Sequence, residues 1–258
     1  MRLTSIFLLL ILPGLLLAET PEQRGLAIAV EADKRDTGFG DLKANLTMLL
    51  KNRHGEQSTR HIRLRTLEVD GDGDKSISIF DRPRDVKGTA FLSFTHKTGT
   101  DDQWLYLPAL KRVKRIASRN KSGSFMGSEF AYEDISSQEV EKYTYKYLRE
   151  EACGELQCFV YERYPEDKNS GYTRQVAYYD TLEYRPQKIV FYDRKNTLLK
   201  TLTYRLYQQY IDRYWRAGEM FMENHQTGKT TLLSWKDYKF RNGYTSRDFD
   251  RNSLKRAR

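Results

Sequence analysis

The amino-acid sequence predicts a mainly β protein: a strongly curved antiparallel sheet, or unclosed barrel, with a helix on its concave side. Three observations predict it. Apolar and polar residues alternate along most of the chain beyond residue 40, and turn residues recur at short intervals, so successive strands should form an antiparallel meander. A single long helical pattern precedes them. About a dozen strands are too many for a flat layer to bury, because open twisted sheets of that size curl or split; a helix in the hollow lets both bury their apolar faces.

The helix starts at Thr20-Pro21-Glu22-Gln23, with Thr20 as N-cap, Pro21 at the first helical position and Gln23 able to close a capping box. Leu26, Ala29, Val30 and Asp33 fall on one side, a mostly apolar face, and Gly38-Phe39-Gly40 ends the element. Leu42, Ala44, Leu46, Met48 and Leu50 then alternate with Lys43, Asn45, Thr47 and Lys51, a half-buried strand. Residues 58–69 return, and after the Asp70-Gly71-Asp72-Gly73-Asp74 turn come strands at 75–80 and 89–96. Residues 104–107 form the next strand, stopped by Pro108, which cannot donate to a ladder, and 113–116 are extended again. A short helix or turn at 132–137 precedes strands at 140–152, 158–164, 172–180, 186–192, 196–207, 215–224 and 230–240. Tyr143, Tyr145 and Tyr147 share one strand face, and Tyr161, Tyr178, Tyr179, Tyr192, Tyr204 and Tyr207 recur on its neighbours; such a lining is either a barrel core or a ligand wall. No repeat, linker or low-complexity tract interrupts the pattern, so residues 19–250 read as one domain and 251–258 as a frayed basic tail.

Residues 1–18 read as a cleaved secretory signal, with Arg2 the lone charge, an apolar run over 6–17 and small Ala18 before Glu19. The run is short of the roughly 20 apolar residues that span a bilayer; an uncleaved anchor is the alternative. No cysteine lies near the cut, so the chain is not itself a lipoprotein. Cys153 and Cys158 flank four residues between two strand patterns and should form a disulfide across that hairpin. A metal pair is the alternative, but His54, His61, His96 and His225 are scattered with no ligand spacing. The net charge is +9; in an exported protein the acidic partners are anionic lipid head groups, lipopolysaccharide or cell-wall polymers, not nucleic acid.

Asp70, Asp72, Asp74, Ser76, Ser78 and Asp81 have calcium-loop spacing, yet Lys75 stands where glycine is needed and strands flank the segment, so a solvated hairpin turn is expected. Ser124 sits one place early for a nucleophile elbow. Neither a paired acid nor a phosphate loop is evident. The chain reads as a binding protein rather than an enzyme, with no cofactor, no metal and no catalytic residue.

The stretch that stands out is WLYLPALKRVKRIASRNKSGSFMGSEFAYED, residues 104–134. No acid occurs between Asp102 and Glu129. Lys111, Arg112, Lys114, Arg115, Arg119 and Lys121 are read as a membrane or partner docking surface, or alternatively as a strand edge kept soluble by charge. Trp104, Tyr106, Phe125, Met126 and Phe130 are read as lipid-binding or lid residues, with Phe125 and Met126 set among residues too small to cover them.

This stretch, through Trp104, Tyr106, Pro108, Arg112, Lys114, Arg115, Ile116, Lys121, Ser124, Phe125, Met126, Gly127, Ser128, Phe130, Tyr132 and Asp134, resembles the outer-membrane lipoprotein-sorting proteins of the LolA-like superfamily, as does Asp85-Val86-Lys87-Gly88-Thr89 upstream. The likeness is to the branch associated with transporters of the resistance-nodulation-division type. It implies an unclosed β-barrel with helices plugging its concave side, and a hydrophobic cavity that shields acyl chains in the periplasm. It also implies an inner-membrane transporter of that type and an outer-membrane acceptor as partners. The expectation is a periplasmic carrier moving a lipid or lipoprotein toward the outer membrane, with peripheral membrane contact. The alternatives are a sensor that binds mislocalised lipid and signals to a protein, and a hydrolase acting on envelope lipids.

Overall fold

A computed structural model describes residues 18–256; the expected signal segment lies outside them, apart from Ala18. Helix α1 (Pro21–Asp36) opens with the capping box read from the sequence: the Gln23 amide donates to Thr20 Oγ1 at 3.2 Å, and the Thr20 amide to Gln23 Oε1 at 2.9 Å. The strands are β1 (Asp41–Lys51), β2 (Gln57–Leu67), β3 (Lys75–Arg82), β4 (Ala90–Phe94), β5 (Asp102–Leu107), β6 (Arg112–Ile116), β7 (Tyr143–Cys153), β8 (Leu156–Pro165), β9 (Tyr172–Asp180), β10 (Pro186–Asp193), β11 (Leu198–Tyr210), β12 (Tyr214–Asn224) and β13 (Thr230–Phe240). Helix α2 (Arg251–Arg256) follows.

All thirteen strands form one antiparallel sheet in the order β6-β5-β4-β3-β2-β1-β13-β12-β11-β10-β9-β8-β7. Each pairing joins chain neighbours except one. The β1–β13 ladder, with Leu46 opposite Trp235, closes the first strand onto the last. The two edge strands, β6 and β7, are consecutive in the chain yet lie at opposite ends of the sheet and do not pair. The sheet is therefore curved but unclosed, and residues 117–142 must cross its hollow to connect the edges.

That crossing segment is pinned throughout its length. The Gln103 side chain donates to the Tyr132 carbonyl at 3.1 Å and to Ser136 Oγ at 2.7 Å. Glu129 is held by Thr231, Asn224 and Lys200, and Glu133 by Ser170 and Gly171. At the centre, Lys200 Nζ of β11 lies 2.6 Å from the Asp134 carboxylate, which also accepts from the Tyr172 hydroxyl and the Ala131 amide. Both side chains of this ion pair are about 95 % buried.

Helix α1 lies on the concave side against β7, by a different face from the expected one. Gly25, Ile28 and Ala29 are buried, whereas Leu26 and Val30 are exposed. The reason is proximity: a Cβ on Gly25 would meet the Tyr147 amide nitrogen at 2.9 Å, so the helix backbone rests directly on the strand and small residues must face it. The expected frayed tail is a helix instead. Leu254 of α2 is fully buried, with Phe249, on the outer face of the sheet against Ile77, Ile79, Ala90, Leu92 and Trp104. Of the two α-helices among the described residues, α1 is the one in the hollow, beside the crossing segment. The disulfide Cys153–Cys158 spans the β7–β8 hairpin with Cα atoms 5.9 Å apart; the two residues are offset rather than directly opposed, Cys158 facing Glu151.

Removing one member of a buried ion pair leaves the other uncompensated. Lys200→Met should lower stability by about 3 kcal/mol or more in urea unfolding, whereas Lys200→Met with Asp134→Leu should recover much of the loss.

Candidate functional site

Between α1 and the concave sheet lies a cleft of about 1110 Å³. Its floor is the tyrosine series of β7 to β11: Tyr145, Tyr161, Tyr179, Tyr204 and Tyr207. They reach the hollow because alternate residues of each strand face it, and the register sets Tyr145 opposite Arg163, with Tyr161 and Tyr179 in ring contact at 5.5 Å. Burial raises the phenols of Tyr145, Tyr161, Tyr204 and Tyr207 above their ordinary range, Tyr161 and Tyr207 strongly, and that of Tyr143 beside them to about 12. The hydroxyls therefore stay neutral donors. Met220, Trp235 and Tyr238 of β12 and β13, with Ala29 and Ala32 of α1, complete the apolar part. Of the tyrosines expected to share one lining, the five of the floor thus form a wall as well as a core, whereas Tyr178 and Tyr192 pack with Cys158, Val160 and Val176 in a separate cluster.

The cleft is not uniformly apolar. Asp33, Glu68, Asp74 and Glu139 lie along one edge. Asp74 is pushed up to about 7, first by burial and then by the Glu139 charge; burial raises Glu139 and Asp33 too. The acidic turn is consequently not the solvated hairpin expected: Asp74 accepts from Ser137 Oγ at 3.2 Å, and Asp72, held at about 2 by its bond to His96 Nδ1, ties β3 to the end of β4. Among the described residues no cluster of three or more His, Cys, Asp or Glu is placed to hold a metal ion. Opposite this edge chemistry stands Arg163, 5 % exposed, with Nε donating to Gln175 Oε1 at 2.7 Å. Trp235 Nε1 is buried with no hydrogen-bond partner.

The residues singled out in the sequence separate into three groups. Phe125 and Phe130 are 2 % and 1 % exposed, not bare. Phe125 packs edge-on to Phe91 at 5.1 Å and Tyr132 at 5.5 Å, so the crossing segment fills the hollow over β3 to β5. Met126 is half-buried beside it in a left-handed conformation (φ 51°), and its carbonyl accepts from the Arg60 guanidinium. Trp104 and Tyr106 lie on the other face of the sheet, under α2, with Arg251 5.7 Å from the Trp104 ring. They are not beside Phe125, since Leu105 between them takes the inward face. Of the basic residues, Lys111, Arg112, Lys114, Arg115 and Arg119 are exposed along edge strand β6 and its flanks, Arg115 pairing with Asp102. Lys121 is instead half-buried in an ion pair with Asp167 at 2.8 Å. Arg163, Trp235 and the Asp74–Glu139 edge escaped sequence reasoning; the one available signal was a charge at an inward position of a strand whose other inward residues, Phe159 and Tyr161, are aromatic.

Because Asp74 keeps its proton to about pH 7 when folded but releases it near 3.8 when unfolded, the folded chain binds more protons across that interval, and stability falls as pH rises through it. Asp74→Asn should raise the melting temperature near pH 8 by about 2 °C or more and leave it unchanged near pH 4, a difference scanning calorimetry would resolve.

No match to the chain was found among curated proteins. A family model described as "Uncharacterized protein" matches residues 72–256. Among solved structures, the chain is similar to a Vibrio parahaemolyticus domain assigned provisionally to outer membrane lipoprotein sorting. Identity is 58 %, the TM-score is 0.89, and the match covers 91 % of this chain and 99 % of that one. It is also similar to a DUF1329 family protein from Desulfovibrio piger, at 29 % identity and a TM-score of 0.86, again covering 91 % and 99 %. A LolA superfamily protein from Nitrosomonas europaea shares the fold at 20 % identity and a TM-score of 0.72, covering 89 % and 98 %. With this degree of identity over nearly its whole length, and an unclosed sheet with a plugged hollow that matches the LolA-like fold, the chain belongs to the same family as the Vibrio parahaemolyticus outer membrane lipoprotein-sorting domain.

Proposed function

We propose that the protein is a periplasmic carrier that takes acyl chains of a lipid or lipoprotein into the cleft beneath α1 and delivers them toward the outer membrane. The observation that carries this reading is the cleft itself. At about 1110 Å³ it exceeds the roughly 300–1,000 Å³ of ordinary small-molecule pockets, and its floor is aromatic. Moving an acyl chain from a membrane into water costs about 0.8 kcal/mol per methylene, so a chain of about 14 carbons would seldom escape unaided. An apolar wall replaces the lost contact, and the task needs no bond to be made or broken. The relative from Vibrio parahaemolyticus, assigned to lipoprotein sorting, supports the same class of cargo. An inner-membrane transporter of the resistance-nodulation-division type and an outer-membrane acceptor would be the donor and recipient. The exposed cations of β6 would serve as the docking surface, each worth about 1 kcal/mol at an anionic membrane, while Lys121 is held within the fold by Asp167.

Mass spectrometry of an organic extract of natively expressed protein should find acyl lipid at near-stoichiometric amounts, and the protein should move labelled lipid between two vesicle populations. An empty protein that takes up no labelled lipid would sink the reading. Neutralising Lys111, Arg112 and Lys114 to Gln should weaken association with anionic vesicles by about tenfold or more at low salt, and by less at high salt; an unchanged affinity would make β6 a solubility device only.

A further inference from the structure

Three cations buried or half-buried among the described residues are matched to carboxylates: Lys200 to Asp134 at 2.6 Å, Arg185 to Asp180 at 2.8 Å and Arg174 to Glu162 at 2.8 Å. Arg163 differs. It sits on β8 with its side chain on the concave face, directly opposite Tyr145 of β7 and Gln175 of β9, and it lines the cleft. Only Nε has a partner, the Gln175 amide oxygen, and the guanidinium lies 4.9 Å from the centroid of the Tyr143 ring. Among the described residues no carboxylate comes within ion-pair distance, although Asp33, Glu68, Asp74 and Glu139 line the same cleft. The titratable groups that face it are the hydroxyls of Tyr143, Tyr145, Tyr161 and Tyr179.

A guanidinium presents a planar fork of donors that matches the two oxygens of a carboxylate or phosphate, and burying such a charge without a counter-charge is unfavourable. The Trp235 indole N–H, also lining the cleft and without an acceptor, adds a second unmet donor. At these two points the wall thus presents donors that no acceptor among the described residues meets. A purely hydrocarbon ligand would leave both unsatisfied; a ligand carrying its own anionic oxygens would not.

We propose that Arg163 receives a negatively charged group inside the cleft, so that the cargo is an acidic amphiphile, an acyl chain bearing a carboxylate or phosphate, rather than the uncharged acylated terminus of a lipoprotein. This rests on the carrier reading above and narrows it. The acyl chain runs along the tyrosine floor, the anion pairs with the Arg163 fork, and the acidic edge at Asp74 and Glu139 repels the anion from any other seat.

The test measures binding of three hexadecyl probes with a common chain to the full protein: hexadecanoate, hexadecyl phosphate and uncharged hexadecanol. Both anions are expected to bind about tenfold or more tighter than the alcohol, the equivalent of a single charge-assisted contact. Their ratio tells whether carboxylate or phosphate is preferred. Arg163→Met should abolish the preference while leaving hexadecanol affinity within about twofold, and its ligand-free melting temperature should be equal or higher, since an unpaired buried charge is gone. Arg163→Lys, which keeps the charge and loses the fork, should retain part of the preference and serves if the methionine variant does not fold. Equal binding of all three probes to the wild type overturns the anion assignment but leaves the carrier reading standing. A preference that survives Arg163→Met overturns the role of Arg163. Failure of every probe to bind overturns the carrier reading, and this inference with it.

Discussion

The ion pair between Lys200 and Asp134 holds the molecule in its open form. The chain folds into a sheet whose two edges are consecutive strands, so one connection has to travel from β6 to β7 across the hollow. Left unanchored, that connection would be a long loop lying over apolar side chains, with polar backbone groups facing a core. Asp134 removes the difficulty by taking Lys200, the Tyr172 hydroxyl and the Ala131 amide at one carboxylate. The two charges of this pair are thereby matched to each other and to further hydrogen-bond partners, the condition under which a buried pair is tolerated. Pinned there, the segment can deliver Phe125 against Phe91 and Phe80, and it becomes the core of the β3–β5 half of the sheet.

The same arrangement explains why the other half stays hollow. The crossing segment fills the space over one set of strands, and α1 covers the rest, but α1 touches the sheet chiefly along β7. Gly25 draws the helix onto that strand, so it leans to one side and leaves the tyrosines of β8 to β11 without an apolar cover. Filling that volume with larger residues on α1 would stabilise the fold by burying more apolar area; Ala29 and Ala32 face it instead. An unfilled, tyrosine-floored space beside a pinned plug is what the proposed carrier role requires, and it is kept at the expense of packing.

Much of this was legible in the residue order and some was not, for physical reasons. Local rules are written locally: the capping box at Thr20 and Gln23, the period-two alternation of Leu42 to Leu50, the stop at Pro108 and the hairpin disulfide all follow from neighbours in the chain and all appear in the structure. The curved, unclosed sheet follows from strand number and short turns. What period-two patterning does not state is which of two faces points inward. Trp104 and Tyr106 alternate with Leu105, and only the arrival of Phe249 and Leu254 from the far end of the chain shows that the aromatic face is the outer one. Phe125 looked uncovered because its cover, Phe80 and Phe91, comes from strands more than thirty residues away. The face of α1 was misassigned for a related reason, since the close approach to β7 at Gly25 is a tertiary fact.

Arg163 is the case in which reading and structure together say more than either alone. In sequence it is one cation among 44, flanked by Glu162 and Tyr164, and only its place in step with Phe159 and Tyr161 separates it from a surface residue. In the fold it is the buried cation that the carboxylates of the cleft leave unmatched. The acids that might have neutralised it are engaged or placed elsewhere: Asp134 with Lys200, Asp180 with Arg185, Asp74 beside Glu139 under a burial that keeps it partly protonated. A cleft meant for hydrocarbon alone would gain from replacing such an arginine with any apolar residue of its size, because the desolvation penalty would vanish. An amphipathic cargo reverses that balance, since its charged end is as costly to leave unpaired as the guanidinium is. The two unfavourable burials cancel when they meet, which ties release of the cargo to re-exposure of both charges.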